Sequence, residues 1–286
     1  MSLLEVRALT HVYAQGTAYE HRALDRVSFT LEEGGFTGLI GHTGSGKSTL
    51  VQHLNGLMKP AEGQVLLDGE DIWARQGGIR GVRFLVGLVF QYPEYQLFEE
   101  TVYKDIAFGP TNMGLSAQEV DRNVRQAAAL VGIGEELLGR SPFELSGGQK
   151  RRVAIAGVMA MRPSVLILDE PTAGLDPQGR EDILGQVQQY RLQEGATVLL
   201  VSHSMEDVAR HADRILVMDH GRLVENGPVE EVFGFDSRLG DIGLAVPQVT
   251  SIFRQLHRRG HAVSPVFTVE AAIAQIEGLL EGGGIG

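Results

Sequence analysis

The sequence contains no cysteine, a single tryptophan among its 286 residues, and fewer basic than acidic side chains. Without cysteine the chain forms no disulfide and offers no thiolate to a metal ion, an absence that is compatible with any compartment. Its 25 lysines and arginines stand against 36 aspartates and glutamates, which leaves a formal net charge of −11. This charge opposes non-specific binding to nucleic acid or to anionic lipid.

The sequence also lacks an apolar run long enough to cross a bilayer, and residues 1–5 lack the charged-then-apolar pattern of a signal peptide. We therefore expect the chain to stay in the cytosol and, if it works at a membrane, to be held there by another protein. Its 43% hydrophobic and 21% charged residues are typical of a globular protein. Its length fits one large domain with an appendage, or two modest domains.

A phosphate-binding loop motif occupies residues 41–49, which read Gly-His-Thr-Gly-Ser-Gly-Lys-Ser-Thr. The glycines allow backbone N–H groups to turn inward around phosphate oxygens. We predict that Lys47 reaches the β- and γ-phosphates and that the hydroxyl of Ser48 binds Mg²⁺. The candidate nucleotide-binding residues of the motif are Gly41, Thr43, Gly44, Ser45, Gly46, Lys47, Ser48 and Thr49.

The context of this loop supports the motif. The apolar segment Phe36–Ile40 predicts a buried strand before it, and apolar residues at helical spacing follow it as far as Pro60. A strand, a glycine loop and a helix N-terminus together form an anion site. Tyr13 lies in a predicted loop ahead of this motif, and its ring is a candidate to stack on a purine; a core or surface tyrosine is the alternative. Three further segments predict strands of a small antiparallel layer: 6–10, 27–31 and 64–68.

Polar residues stand directly after other predicted strands. Gln91 follows the strand 86–90, where its neutral amide can meet Mg²⁺ or an attacking water without quenching their charge. Asp169 and Glu170 follow the buried strand 165–168, an arrangement that is unfavourable unless a cation lies nearby. We predict that Asp169 holds Mg²⁺ and that Glu170 polarises the water that attacks the γ-phosphate.

His203 follows the strand 197–201 in the same way. Because ligands bind at the carboxyl ends of parallel strands, we predict that it donates a hydrogen bond to the γ-phosphate, whereas the other histidines are structural or solvated. Residues 145–149 read Leu-Ser-Gly-Gly-Gln at the start of a predicted helix, where free N–H groups and the helix dipole suit a γ-phosphate. A turn that merely caps the helix is the alternative. Asp176 is a predicted N-cap, followed by Pro177 at the first helical position.

The remaining segments predict helices. Residues 101–144 form a helical insert with a capping-box pattern at Ser116–Glu119. Residues 247–259 and 268–280 predict two amphipathic helices, and the glycine-rich residues 282–286 predict a disordered end.

From about Leu4 to Gly227, this ordered set of motifs resembles the ATP-binding cassette ATPases. The resemblance implies an α/β P-loop NTPase fold, with a mostly parallel sheet core, an antiparallel β subdomain and a helical subdomain at about 100–160. It implies ATP and Mg²⁺ as ligands and a nucleotide-binding domain over 1–234. Residues 235–286 are then a small C-terminal helical or α+β domain that helps hold two ATPases together.

The resemblance further implies a head-to-tail dimer in which ATP lies between the phosphate loop of one subunit and the signature, residues 145–149, of the other. Ser146, Gly148, Gln149 and Asp176 then act on a nucleotide that the partner mainly holds. Lys47, Gln91, Glu170 and His203 are the implied catalytic residues, and Ser48, Gln91 and Asp169 the metal-binding ones. The chain alone is then expected to be a poor ATPase.

Residues 13–24 and 90–102 are most similar to the ATPases of energy-coupling-factor importers, of the second or A-prime type. That similarity implies uptake of a vitamin or related micronutrient. It implies several partners: a second ATPase, either a paralogue or another copy, an integral membrane coupling subunit and a membrane substrate-binding subunit. The chain would lie at the cytoplasmic face of the cell membrane. The transported substrate and the identity of the second ATPase do not follow from the sequence.

Acidic residues alternate with apolar ones after Gln91. Glu94, Glu99, Glu100 and Asp105 are interleaved with aromatic and aliphatic side chains. We interpret residues 91–100 as part of a docking groove for an arginine-bearing helix of the coupling subunit; a solvated loop is the alternative.

Two other functions remain open at this point. A conventional importer that uses an external binding protein has an ATPase of the same kind. DNA-repair and translation ATPases share the cassette. Residues 50–144 have no room or heptads for the coiled coil of a repair protein. Translation factors carry two cassettes in one chain, whereas this chain carries one. The acidic balance also disfavours a nucleic-acid partner.

Overall fold

The computed structural model describes residues 2–281, and its strands form one six-stranded and one four-stranded sheet. The strands, in chain order, are β1 (Ser2–Tyr13), β2 (His21–Glu32), β3 (Phe36–Gly41), β4 (Glu62–Leu67), β5 (Glu70–Asp71), β6 (Val86–Val89), β7 (Val165–Asp169), β8 (Thr197–Val201), β9 (Arg214–Asp219) and β10 (Arg222–Pro228). The helices are α1 (Lys47–Leu54), α2 (Gly78–Leu85), α3 (Val102–Asn112), α4 (Ala117–Leu130), α5 (Glu135–Leu138), α6 (Gly147–Met159), α7 (Pro177–Glu194), α8 (Met205–His211), α9 (Val229–Val232), α10 (Gln248–Arg258) and α11 (Val269–Glu281).

The larger sheet is mostly parallel. Its strand order is β10-β9-β3-β8-β7-β6, and only the β10–β9 pair is antiparallel. The smaller sheet, β2-β1-β4-β5, is antiparallel and contains the three segments that were predicted to form such a layer. The predicted α/β architecture is confirmed.

Alternation along the central strand β7 directs its side chains into two different apolar cores. Leu166 and Leu168 of β7 point to one face of the sheet, where they pack with the helices of the insert. Val165 and Ile167 point to the other face, where they pack with α1 and the antiparallel sheet. Both faces of the parallel sheet are therefore covered, and only the ends of its strands remain open to a ligand.

The predicted helix signals agree with the structure. Ser116 caps α4 in a complete capping box with Glu119, and Asp176 caps α7 by accepting from the N–H of Gly179. Gly195 ends α7 with a φ of 68°, a left-handed conformation that glycine adopts without cost.

The C-terminal segment forms the two predicted amphipathic helices, α10 and α11, although their ends shift by a residue. They enclose a small core of their own around Phe253, Val263, Val266 and Ala272. A division of the chain at 234/235 remains a prediction, and the predicted disordered end at 282–286 lies outside the described residues. Among residues 2–281, no helix combines the length and the apolar character that crossing a membrane requires.

Candidate active site

The predicted site residues follow neighbouring strands. The order β3-β8-β7-β6 places the phosphate loop, His203, Glu170 and Gln91 side by side at one edge of the sheet. The register aligns the strand ends, since Leu39 and Asp169 both pair with Val201. Parallel pairing thus gathers residues that lie far apart in the chain.

The phosphate loop wraps closely around its own lysine. The ammonium of Lys47 donates to the carbonyls of Gly41, at 2.6 Å, and His42, at 2.9 Å. Gly41 and Gly46 have φ of 153° and 103°. A side chain at either position would overlap a backbone carbonyl, that of Met218 or that of Ala23 respectively. Only glycine therefore allows this close approach.

Buried charges of opposite sign face each other below the loop. Burial lowers the pKa of Lys47, although the nearby Glu170 and Asp169 carboxylates oppose this shift. Burial likewise raises the pKa of Asp169, which accepts a hydrogen bond from Ser48 that acts in the opposite direction. For both groups burial outweighs the interactions that oppose it, so a further cation beside Asp169 would stabilise its ionised form.

Glu170 and His203 form a direct pair at the centre of the strand ends. The Nε2 atom of His203 lies 2.8 Å from Oε1 of Glu170, and their side chains are 44% and 18% exposed. Glu170 has a φ of 52°, and its N–H donates to the carbonyl of Val201 at 3.0 Å. This uncommon left-handed backbone turns the carboxylate away from the strand and toward the open edge.

An open cavity of about 460 Å³ lies above these groups. Its lining comprises Tyr13, His21, Ala23, Thr43, Gly44, Gly46, Lys47, Ser48, Thr49, Gln91, Glu170 and His203. Gly41, Ser45 and Asp169 were predicted for the site but are buried beneath it. The sequence did not predict His21 as part of the site. The antiparallel pairing of β1 and β2 brings it there, because His21 is the register partner of Tyr13.

The signature does not share this cavity. Ser146 accepts from the N–H of Gln149 and the Gln149 amide oxygen accepts from the N–H of Ser146, so the pair closes a capping box at the start of α6. Gly148 and Asp176 line a separate hollow of about 290 Å³. Ser146 and Gly148 are exposed. Within one chain, the predicted nucleotide residues therefore form two separate groups.

Arg151 connects the loops around the site, a role that sequence reasoning missed. Its guanidinium is almost fully buried and binds both carboxylate oxygens of Glu94, at 3.1 and 2.8 Å. It also donates to the carbonyls of Pro171 and Ala173. One side chain thus joins the signature helix to the turn after Gln91 and to the loop after Glu170. In the sequence, the available signal was the position of Arg151 on the same helix as the buried apolar residues of α6, which indicates a buried cation in need of a partner.

The position of Glu94 corrects the predicted docking surface. Glu94 was expected to face a membrane partner, but its carboxylate is occupied by Arg151. Burial by itself would raise the pKa of Glu94. The hydrogen bond from Arg151, a backbone hydrogen bond and the charge of Arg151 outweigh burial, so the pKa of Glu94 lies below its usual range. Glu94 is thus an internal partner of a buried cation.

A glycine phosphate loop, a buried lysine and a glutamate–histidine pair around one cavity define a P-loop nucleotide phosphohydrolase. Comparison with known proteins agrees. The ABC transporter family profile matches residues 24–173. The energy-coupling factor transporter ATP-binding protein EcfA2 of Caldanaerobacter subterraneus subsp. tengcongensis is 52% identical, over 98% of each chain. EcfA2 of Clostridium acetobutylicum is 54% identical over 97% of this chain and 98% of its own.

Two solved structures that resemble this chain are also ABC transporter ATPases. The cbiO1 protein of Clostridium perfringens, part of the ABC transporter complex cbiONQ, matches with a TM-score of 0.75 and 38% identity over 91% of this chain and 98% of its own. The ATP-binding cassette MJ0796, a dimer bound to ADP and Pi, matches with a TM-score of 0.71 and 26% identity over 79% of this chain and 99% of its own. The chain belongs to the ABC transporter family of ATPases, within its energy-coupling-factor ATP-binding (EcfA2) group.

The Arg151–Glu94 pair predicts a stability effect. We expect Glu94→Ala to lower the free energy of unfolding by about 2–4 kcal/mol, because the change leaves a buried guanidinium without its carboxylate. Urea denaturation followed by circular dichroism measures the change.

The exposed pair Lys104–Glu100 supplies the matched control. Glu100→Ala removes a carboxylate from a solvent-screened ion pair and should leave the denaturation midpoint in place. If both substitutions lowered the free energy of unfolding equally, the buried Arg151–Glu94 pair would stabilise the fold no more than an exposed ion pair does.

Proposed function

We propose that this chain is the ATP-hydrolysing subunit of an energy-coupling-factor importer and forms one half of a head-to-tail pair of ATPases. The observation that carries the proposal is the separation of the phosphate-loop cavity from the hollow beside the signature. Each group is chemically incomplete alone, and a second cassette facing the first would supply what is missing. The dimeric state of MJ0796 and the names of the EcfA2 relatives support this arrangement.

In this proposal ATP lies along the phosphate-loop cavity. The ring of Tyr13 stacks on the adenine, and the loop N–H groups with Lys47 hold the phosphates. Ser146, Gly148, Gln149 and Asp176 of this chain meet the ATP that the partner mainly holds. The side chain of Gln149 already serves the capping box, so its contribution is to orient Ser146.

The donor set fits Mg²⁺. Ser48, Gln91 and Asp169 offer oxygen ligands, which a hard cation prefers, and burial of Asp169 leaves its ionised form in need of positive charge. When bound there, Mg²⁺ would neutralise charge on the phosphates. Among residues 2–281, no cluster of three or more histidine, aspartate or glutamate side chains forms a metal site that is independent of the nucleotide.

Glu170 is the proposed general base for hydrolysis. Its carboxylate accepts a proton from the attacking water while the water oxygen bonds to the γ-phosphorus. The bond between that phosphorus and the bridging oxygen then breaks, which leaves ADP and phosphate. His203 contacts Glu170 through Nε2 and is placed to orient the carboxylate or to donate to the γ-phosphate.

A second groove, of about 410 Å³, is the proposed docking site for the membrane coupling subunit. Phe98 and Phe108 contact edge to face at its wall, with ring centroids 5.0 Å apart. Asp105 also lines it: Oδ1 accepts from the N–H groups of Phe98 and Glu99, whereas Oδ2 is buried and has no partner among residues 2–281. Burial raises the pKa of Asp105. The positive charge of a partner's arginine in the groove beside Asp105 would stabilise the ionised carboxylate.

The proposed complex imports a vitamin or related micronutrient through a membrane substrate-binding subunit. Residues 235–286 are the proposed C-terminal domain that helps hold the ATPase pair together, and the exposed apolar side chains Ile252, Ile273 and Ile276 provide contact surface. The proposed location is peripheral, at the cytoplasmic face of the membrane. A conventional importer remains the alternative, which purification with native membrane partners would distinguish.

Glu170→Gln tests the proposed base. The amide keeps the size of the carboxylate but cannot accept the proton, so ATP turnover in the full complex should fall by at least about 100-fold. ATP binding should persist, and the variant should accumulate an ATP-bound dimer, which size-exclusion chromatography of the two ATPases detects.

Lys47→Ala is the contrasting variant. It removes charge-assisted hydrogen bonds to the phosphates and should weaken ATP binding at this chain's own phosphate loop by at least about tenfold. Normal turnover of Glu170→Gln in the full complex would exclude Glu170 as the base.

The docking groove makes a separate prediction. Asp105→Asn keeps an oxygen for the two backbone N–H groups but removes the charge, so the affinity for the membrane coupling subunit should fall at least about tenfold. Co-purification from detergent extracts measures recovery, and ATP binding to the ATPase chain should be unchanged. Asp121→Asn, at an exposed carboxylate paired with Arg125, is the matched control. Undiminished recovery with Asp105→Asn would contradict the proposed docking site.

A further inference from the structure

Two histidines connect the tyrosine beside the cavity to the phosphate-loop helix. His11 and Tyr13 lie on β1, and their rings meet edge to face with centroids 4.5 Å apart. His53 lies on α1, the helix that begins at Lys47, and its ring meets that of His11 with centroids 4.7 Å apart. The three rings form a continuous row from the mouth of the cavity into the core, where His53 is fully buried.

The hydrogen bonds of this row have a fixed direction. Nδ1 of His53 lies 2.7 Å from the carbonyl of Thr49, which can only accept, so Nδ1 carries the proton. In a neutral ring Nε2 then accepts, and it lies 3.2 Å from Nδ1 of His11, which must donate. Burial lowers the pKa of both histidines, although backbone groups of Thr49 and Lys59 oppose this for His53. Both rings are therefore neutral at neutral pH, as this assignment requires.

Tyr13 has a second connection to the same helix. Its hydroxyl lies 3.2 Å from the hydroxyl of Thr49 in α1, and it donates to the sulfur of Met58, which follows the helix, at 3.6 Å. The side chain of Tyr13 is nevertheless 39% exposed and lines the cavity. One edge of the ring is thus held by α1 and another by His11, while part of the ring stays open to a ligand.

We propose that His11 and His53 are positioning residues that hold the Tyr13 ring in register with the phosphate loop, so that one nucleotide fits both at once. The proposal rests on the function proposed above, in which Tyr13 stacks on the base. Tyr13 and the phosphate loop belong to different sheets, and the strand β1 has register irregularities on both sides of His11. The histidine pair connects that irregular segment to α1, in addition to the contact between the Tyr13 and Thr49 hydroxyls.

The two halves of the nucleotide should respond differently when this connection is cut. The phosphates bind to the N–H groups of the loop and to Lys47. Among residues 2–281, His53 is the member of the histidine pair that hydrogen-bonds to the motif, and it does so through the carbonyl of Thr49. The base binds to a ring whose position depends on His11. Loss of His11 should therefore weaken ligands that carry the base and spare ligands that carry only phosphates.

Dissociation constants of Mg-ATP and Mg-tripolyphosphate, measured by titration calorimetry on the full chain, test the proposal. His11→Ala should raise the dissociation constant of ATP about tenfold, the combined effect of a lost ring contact and a lost hydrogen bond. The value for tripolyphosphate should stay within about twofold. His11→Phe keeps a ring against Tyr13 but loses the hydrogen bond, and should have a smaller effect of about threefold.

A double-mutant cycle separates the possible outcomes. Tyr13→Ala should weaken ATP but not tripolyphosphate, and His11→Ala in the Tyr13→Ala background should add nothing further. His257→Ala, which removes a ring that packs against Phe235 at an interplanar angle of 30° with centroids 4.7 Å apart, is the matched control and should change neither constant.

If Tyr13→Ala weakens ATP alone but His11→Ala has no effect, the positioning role is wrong and the proposed base contact stands. If Tyr13→Ala does not distinguish the ligands, the base contact itself is wrong and the positioning role falls with it. If His11→Ala weakens both ligands equally, His11 merely supports the fold and the proposal is overturned.

Discussion

The guanidinium of Arg151 is the constraint on which the arrangement of the motifs depends. A buried cation is costly unless charge and hydrogen bonds surround it, and Arg151 obtains both from two other segments of the chain. Glu94 supplies two carboxylate oxygens, and the loop after Glu170 supplies the carbonyls of Pro171 and Ala173. The turn after Gln91, the loop after Glu170 and the signature helix must therefore come together around one side chain.

This connection has a functional consequence under the proposed assembly. The loop after Glu170 adjoins the ATP site of this chain. The signature at the start of α6 is proposed to contact the ATP that the partner holds. The turn at Glu94 adjoins the proposed docking groove, where Phe98 and Asp105 lie. A membrane partner that displaces this turn would act on Arg151 and, through it, on both sites. The proposed role of His11 and His53 is a similar support, which holds Tyr13 beside the phosphate loop.

The fold and much of the site follow from local sequence. A parallel sheet collects the ends of its strands at one edge, so Gln91, Glu170 and His203 were predicted from their positions after apolar strands. The ion pair of Arg151 and Glu94 joins residues 57 positions apart and leaves no periodic signal. For the same reason Glu94 was assigned to the surface, and the contact of His53 with His11 was missed. Whether a polar side chain faces solvent or another segment depends on tertiary packing, which local patterns do not contain.

The central claim is that the phosphate loop and the signature of this chain serve different ATP molecules. A photoreactive group on the γ-phosphate of ATP, followed by mass spectrometry of labelled peptides, tests it in the full complex. The account predicts labelling at residues 145–149 that survives Lys47→Ala in this chain, because the partner's phosphate loop holds that nucleotide. If Lys47→Ala abolishes both nucleotide binding at this chain's own loop and the label at residues 145–149, the account is contradicted.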